Sequence, residues 1–117
     1  MSDLLTHAEY RAIASQMDFP ATPFLDGKYR NGLGTAMPTI NPATGDTIAN
    51  ISTANAEDVD FAVQKAREAF DQGRWAKLHP SERKDILIRL CKLITRNRRE
   101  LAVMESLDSG KPILDCE

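Results

Sequence analysis

The sequence predicts a helix-rich fold interrupted by short β-hairpins, and three observations predict it. Thr39 to Ile51 reads Thr-Ile-Asn-Pro-Ala-Thr-Gly-Asp-Thr-Ile-Ala-Asn-Ile. There Pro42 presets φ, Asn41 can close an Asx-type hydrogen bond, and Gly45 supplies the positive φ that a short hairpin loop needs. Phe24 to Tyr29 sets Asp26-Gly27 between apolar residues, a second hairpin signal. From Val59 onward apolar residues recur at spacings of three and four, the signature of an amphipathic helix.

In chain order, Asp3 is placed to cap a first helix in which Leu5, Ala8, Ala12 and Ile13 share a face, and Pro20 and Pro23 mark its end. After the Asp26-Gly27 hairpin, Asn31-Gly32-Leu33-Gly34 reads as a flexible turn before an extended run from Ala36 to Ile40. Gly32-Leu33-Gly34 invites comparison with the dinucleotide-binding fingerprint. However, Met37 stands where the third glycine belongs and no helix begins there, so a phosphate cradle is rejected. Beyond the Asn41–Gly45 turn, Ile48 and Ile51 suit a short, half-exposed strand. The next helix is expected from about Ala56 to Asp71, roughly 24 Å long at 1.5 Å per residue. Asn55 is its N-cap, Asp58 completes a capping box, Glu57 adds charge at the positive helix end, and Gly73 ends it. Its apolar stripe is Val59, Ala62, Val63, Ala66 and Phe70.

Arg74, Trp75 and Leu78 form a connector in which Trp75 is expected to plug a gap between helices. Pro80, with Ser81 and Glu82, opens another helix whose apolar face is Ile86, Leu87, Leu90, Cys91 and Ile94, making Cys91 a core thiol. The other face and its extension carry Arg83, Lys84, Arg89, Lys92, Arg96, Arg98 and Arg99. Such a stripe suits nucleic-acid phosphates or, more simply, a solvated face with intrahelical ion pairs; no interleaved aromatics support the former. Leu101, Met104 and Leu107 continue the helical pattern to Ser109-Gly110, and Pro112 suits a further start. Only Ile113 to Glu117 remain for that helix, so the ending reads as a cut, with a frayed terminus as the alternative.

Composition narrows the classes. The chain has 117 residues, 42% hydrophobic and 27% charged, which is ordinary for one small globular domain and argues against disorder. A formal charge of -2 gives no global pull toward nucleic acid or anionic lipid. No run approaches a membrane span, and the first residues, Asp3 and Glu9 among them, lack a signal-peptide pattern, so a cytoplasmic location is expected. Cys91 and Cys116 fit neither a disulfide framework nor a metal motif and read as thiols in a reducing compartment. His7 and His79 have no nucleophile or metal partner at useful spacing.

Several blocks in register say more than their periodicity. Phe24-Leu25-Asp26-Gly27-Lys28, Ile40-Asn41-Pro42-Ala43-Thr44-Gly45, Glu57-Asp58-Val59-Asp60 with Ala66-Arg67 and Ala69-Phe70, Trp75, Ser81-Glu82-Arg83, and Leu107-Asp108-Ser109-Gly110-Lys111-Pro112 together resemble the amino-terminal part of the aldehyde dehydrogenase superfamily. The preceding helix is similar to leaders in the subfamily acting on aminoaldehydes such as gamma-glutamyl-aminobutyraldehyde. The resemblance implies an α/β fold with a Rossmann-like nucleotide domain. Residues 1–23 would be a helical leader and residues 24–117 the incomplete beginning of the nucleotide-binding domain.

The implied reaction oxidises an aldehyde to a carboxylic acid with NAD or NADP, through a cysteine thiolate, a thiohemiacetal, hydride transfer and hydrolysis assisted by a glutamate. Those catalytic blocks do not occur in this sequence, and the chain alone is expected to be inactive. A homo-oligomer is implied for the complete enzyme, with no nucleic-acid or membrane partner. The family's monovalent cation site, for K+ or Na+, maps onto the backbone oxygens of Thr39 and Ile40 and the carboxylate of Asp108, with a further ligand downstream. A purely structural reading has Asp108 receive hydrogen bonds from the following turn. Lys111 beside it reads as a surface lysine. Two rivals remain: a non-catalytic truncated paralogue acting through association, and a small nucleic-acid-binding helical protein.

Overall fold

The computed structural model describes residues 4–117. Helix α1 (His7–Gln16) is followed by strands β1 (Phe24–Leu25), β2 (Lys28–Tyr29), β3 (Met37–Ile40) and β4 (Thr47–Ile51), and then by helices α2 (Ala56–Asp71), α3 (Pro80–Arg96), α4 (Arg98–Ser109) and α5 (Ile113–Cys116). Among the described residues the strands pair as two hairpins, β1 with β2 and β3 with β4. The chain divides into two compact units. One comprises residues up to Pro20, Pro38–Ala49 and Lys92–Glu117; the other comprises Ala21–Met37 and Asn50–Cys91.

In the first unit α1 begins on Thr6, whose hydroxyl accepts from the Glu9 N–H while the Glu9 carboxylate takes the Thr6 N–H at 2.7 Å. This capping box supplies the start expected of Asp3, which lies outside the described residues. The inward face is also rotated from expectation. Ala8 and Ala12 are exposed, and Tyr10, Ile13, Ala14 and Met17 turn inward at spacings of three, four and seven. Tyr10, Ala102 and Val103 are the buried hydrophobic residues among those described, so the small core of this unit lies where α1 meets α4. Helix α4 ends at Gly110, whose φ of 74° is the left-handed C-terminal conformation that glycine adopts without strain.

In the second unit the first hairpin pairs Phe24 with Tyr29 and Leu25 with Lys28 in antiparallel register. Asp26 and Gly27 both have positive φ, 52° and 74°, as a two-residue type I′ loop requires. The Phe24 and Tyr29 rings meet edge to face at 5.1 Å. Asn31–Gly34 is not a flexible turn. Gly32 N–H donates to Ser52 Oγ at 2.8 Å, Gly34 N–H to the Thr53 carbonyl at 2.8 Å, and Leu33 N–H to Asp58 Oδ2 at 2.7 Å. A β-carbon on Gly32 would sit 2.1 Å from the Thr53 carbonyl oxygen, so glycine is demanded by close approach of two backbones.

Helix α2 has the Asn55–Asp58 capping box in full. Its inward face carries Phe61, Ala62, Lys65 and Ala69, with the Arg30 guanidinium 4.8 Å above the Phe61 ring. Most of the expected stripe is therefore left uncovered: Val59, Val63 and Phe70 are exposed, Phe70 at 68%. Helix α3 starts on His79, whose N–H donates to Glu82 Oε2 at 2.9 Å and whose Nδ1 accepts from the Ser81 N–H at 3.3 Å. The apolar residues of α3 form no buried face. Leu87, Ile88, Leu90, Leu93 and Ile94 are exposed, and so is Cys91, which is not a core thiol. Trp75 does not plug a gap; it is 45% exposed beside Pro80, Leu87 and Ile88. The basic stripe is interrupted at Asn97, and its last members, Arg98 and Arg99, approach Glu117. Among the described residues no helix is long and apolar enough to cross a membrane.

Gly32→Ala is expected to destabilise the second unit by about 1–3 kcal/mol, because the Thr53 backbone must move; denaturant unfolding reads the change, and an unaltered midpoint would contradict it. Asp58 supplies a pH dependence. Its carboxylate accepts first from Leu33 N–H and then from Asn55 N–H, which holds its pKa below the usual carboxylate value. A pKa lower in the folded than in the unfolded state contributes stability above the ordinary carboxylate range and loses it as pH falls through the folded value. Asp58→Asn should therefore lower the melting temperature at neutral pH and flatten the acid limb below about pH 4. A variant whose acid limb parallels the parent's would exclude this role.

Candidate functional site

The Asn-Pro turn and the end of α4 meet in the first unit. Asn41 Oδ1 accepts from the Ala43 N–H at 2.9 Å, the Asn41 carbonyl accepts from Gly45 N–H at 2.8 Å, and Gly45 takes φ 79°. This is an Asx-stabilised loop closed by local chemistry. The loop positions Pro42, whose Cγ lies where a β-carbon on Gly110 would come within 2.9 Å. Beside it Thr39 Oγ1 donates to Asp108 Oδ1 at 2.6 Å across 69 residues of sequence. Two of the three sequence-designated ligand residues, Thr39 and Asp108, are thus brought into direct contact. Ile40, the third, is the next residue of β3, with its side chain exposed.

The hydrogen bond at Asp108 comes from Thr39 and not from the following turn, which corrects the structural reading made from sequence. The turn is held by serines instead. Ser106 Oγ donates to the Lys111 carbonyl at 2.7 Å, and Ser109 Oγ accepts from Lys111 N–H at 3.2 Å while donating to the Glu105 carbonyl at 2.6 Å. The Lys111 ammonium donates to Glu105 Oε1 at 3.0 Å, and this contact first of all raises its pKa, so it is a tethered cation and not a base. Among the described residues no three His, Cys, Asp or Glu side chains are gathered to hold a metal. The contact that the structure shows at this corner is between a hydroxyl and a carboxylate.

The remaining chemistry-bearing residues are placed for structure. Burial, then the Glu105 carboxylate, push the Cys116 thiol up from its ordinary value, and its Sγ lies 3.8 Å from the Lys111 carbonyl. An activated nucleophile needs the reverse shift. Gly32–Gly34 is no dinucleotide cradle, since the space a phosphate would need is taken by Thr53 and the Leu33 N–H is spent on Asp58. His79 is a helix cap. Two residues were missed from sequence: Tyr10 and Glu117, joined by a 2.6 Å hydrogen bond across 107 residues. The spacing of Tyr10 with Ile13, Ala14 and Met17 could have revealed the first; nothing local marks the second.

Thr39→Val and Asp108→Asn should each destabilise the first unit, and the double variant should show a coupling of about 1 kcal/mol. Strictly additive unfolding free energies would mean that the contact contributes nothing.

The profile of the aldehyde dehydrogenase family matches residues 29–117. Aminoacetaldehyde dehydrogenase of Pseudomonas aeruginosa is 48% identical over 118 residues, an alignment spanning 100% of this chain and 24% of that protein. Two solved structures are similar in fold. One is gamma-glutamyl-gamma-aminobutyraldehyde dehydrogenase from Burkholderia cenocepacia, with a TM-score of 0.92 and 36% identity, covering 96% of this chain and 23% of that one. The other is indole-3-acetaldehyde dehydrogenase of P. syringae in complex with NAD+, with a TM-score of 0.91 and 37% identity, covering 97% and 23%. The chain spans about a quarter of the length of these relatives.

Proposed function

The chain belongs to the aldehyde dehydrogenase family, and on that premise we propose that its residues serve NAD- or NADP-dependent oxidation of an aldehyde to a carboxylic acid. The observation that carries this reading is the 48% identity to an aminoacetaldehyde dehydrogenase along the whole chain, including the stretch before residue 29 that the family profile leaves unmatched. For that reason the proposed substrate class is an aminoaldehyde.

The part played by these residues is scaffolding. The described residues do not fit the dinucleotide, because their one glycine-rich stretch is filled by backbone, so none of them is assigned to hold it. Residues 1–23 form the leader and residues 24–117 the opening of the nucleotide domain. Thr39, Ile40 and Asp108 are proposed to offer oxygens to K+ or Na+, supported by the Thr39–Asp108 contact. We propose a cytoplasmic homo-oligomer without a membrane or nucleic-acid partner, the last of these supported by the break in the basic stripe at Asn97.

The test is formation of reduced nicotinamide with a panel of aminoaldehydes and apolar aldehydes, in K+, in Na+ and in a bulky ammonium salt. The protein that carries these residues together with a family-length continuation is expected to turn over, fastest with aminoaldehydes and with an alkali cation present. The 117-residue chain by itself is expected to show no turnover. Activity in that chain that disappears in Cys116→Ala would overturn the scaffolding assignment, and a full-length protein inert toward every aldehyde would overturn the reaction.

A further inference from the structure

Helix α3 has one side made for water and another without cover. Arg89, Lys92 and Arg96 lie along the first, exposed and charged. On the other, Leu87 and Leu90 are each 50% exposed, and among the described residues no side chain of the helix is buried. Within the second unit that side continues into an open groove of about 440 Å³, where Trp75, Pro80, Leu87, Ile88 and Cys91 come together. Single exposed apolar side chains are ordinary on a protein surface, whereas a contiguous set marks a surface that meets another. Arg83 and Lys84 line the same groove, so its apolar floor has a basic rim.

Charge and length decide what fills it. Two copies of this chain meeting groove to groove would bring Arg83 and Lys84 of each to one contact, and like charges gathered across an interface cost affinity. A partner that carries carboxylates at the edge of an apolar patch has no such cost. In the two solved relatives the matching fold, at TM-scores of 0.92 and 0.91, makes up 23% of the chain, so the same quarter sits there within a polypeptide about four times as long. We propose that the groove beside Trp75 and α3 is an intramolecular docking surface. It takes an apolar element flanked by carboxylates, supplied by the polypeptide that a family-length protein carries beyond this quarter, and not a second subunit. The inference rests on the family-length reading given above but not on its aminoaldehyde substrate. In that arrangement the Arg89 side of α3 stays in water, while Cys91, in the wall of the groove, is covered.

Alkylation of Cys91 by iodoacetamide, followed by mass spectrometry of the peptide that contains it, reads the cover directly, because Cys91 is exposed in the 117-residue chain. The comparison is with the same residues joined to the continuation of the P. aeruginosa aminoacetaldehyde dehydrogenase. In the joined protein Cys91 is expected to react more slowly by about tenfold or more. Lys84→Glu should reduce that protection, measured against the 117-residue chain with the same substitution, whereas Arg89→Glu should leave it within a factor of about two. Equal effects of the two substitutions would overturn the charge match. Cys91 that reacts equally in the short and the joined protein would overturn the docking, as would protection that grows with concentration in the 117-residue chain, the sign of a second copy in the groove. The two readings fail separately: a joined protein that shields Cys91 but oxidises no aldehyde refutes the reaction alone, and one that turns over with Cys91 still reactive refutes the docking alone.

Discussion

The meeting of the Asn41–Gly45 loop with the end of α4 is the constraint on which the first unit depends. A left-handed Gly110 stops α4 where a side chain would strike Pro42, and Thr39 ties the adjoining strand to the last turn of the helix through Asp108. Each part is local chemistry with a long-range result: Asn and Gly shape the loop, Gly shapes the helix end, and only then can strand and helix approach closely enough to bond. Displace either glycine conformation and the 2.6 Å contact has no geometry to form in.

The second unit is governed by a different imbalance. Helix α2 turns Phe61 and Ala62 inward and leaves Val59, Val63 and Phe70 outward, while α3 sets an apolar face that includes Leu87, Leu90 and Ile94 against a basic one and leaves that apolar face exposed. An amphipathic helix ordinarily lays its apolar face on a core. The described residues offer too little apolar surface to cover both, and the relatives with which they align are about four times longer. Capping, turn chemistry and ion pairs such as Lys65–Glu68 define these helices locally; what should cover their outer faces is a separate question from what shapes them.

Those features that were legible in the sequence share one property, that their cause lies within a few residues. The capping box of Asn55 and Asp58, the Asp26-Gly27 loop, the Asx turn at Asn41 and the glycine stops at Gly73 and Gly110 all formed as their residue types dictate. What failed was the phase of burial and the choice of distant partner. Phe61 was overlooked because the Val59–Phe70 stripe satisfied the helical period, yet Arg30 stacks on Phe61. Asn31–Gly34 looked flexible because its glycines are permissive in isolation, and only the approach of Thr53 shows that they are required by sterics. The Thr39–Asp108 contact joins two residues that the family resemblance had named together, whereas the Tyr10–Glu117 contact joins two that no block had marked.

The two sequence readings of Asp108, cation ligand and hydrogen-bond acceptor, turn out not to exclude each other. An ionised carboxylate presents about four lone-pair directions, and the Thr39 hydroxyl occupies one of them on Oδ1. The same bond ties the carboxylate to β3. Main-chain carbonyls of Thr39 and Ile40 leave that strand on opposite sides, as successive residues of any strand do, so a cation shared by both would need the chain to bend at the Asn-Pro junction. The Asx loop makes its turn at that junction, beginning one residue after Ile40. The hydroxyl is therefore one neighbour of a carboxylate that keeps other directions free, and any part for Ile40 beside it falls to main-chain oxygen, since its side chain is exposed.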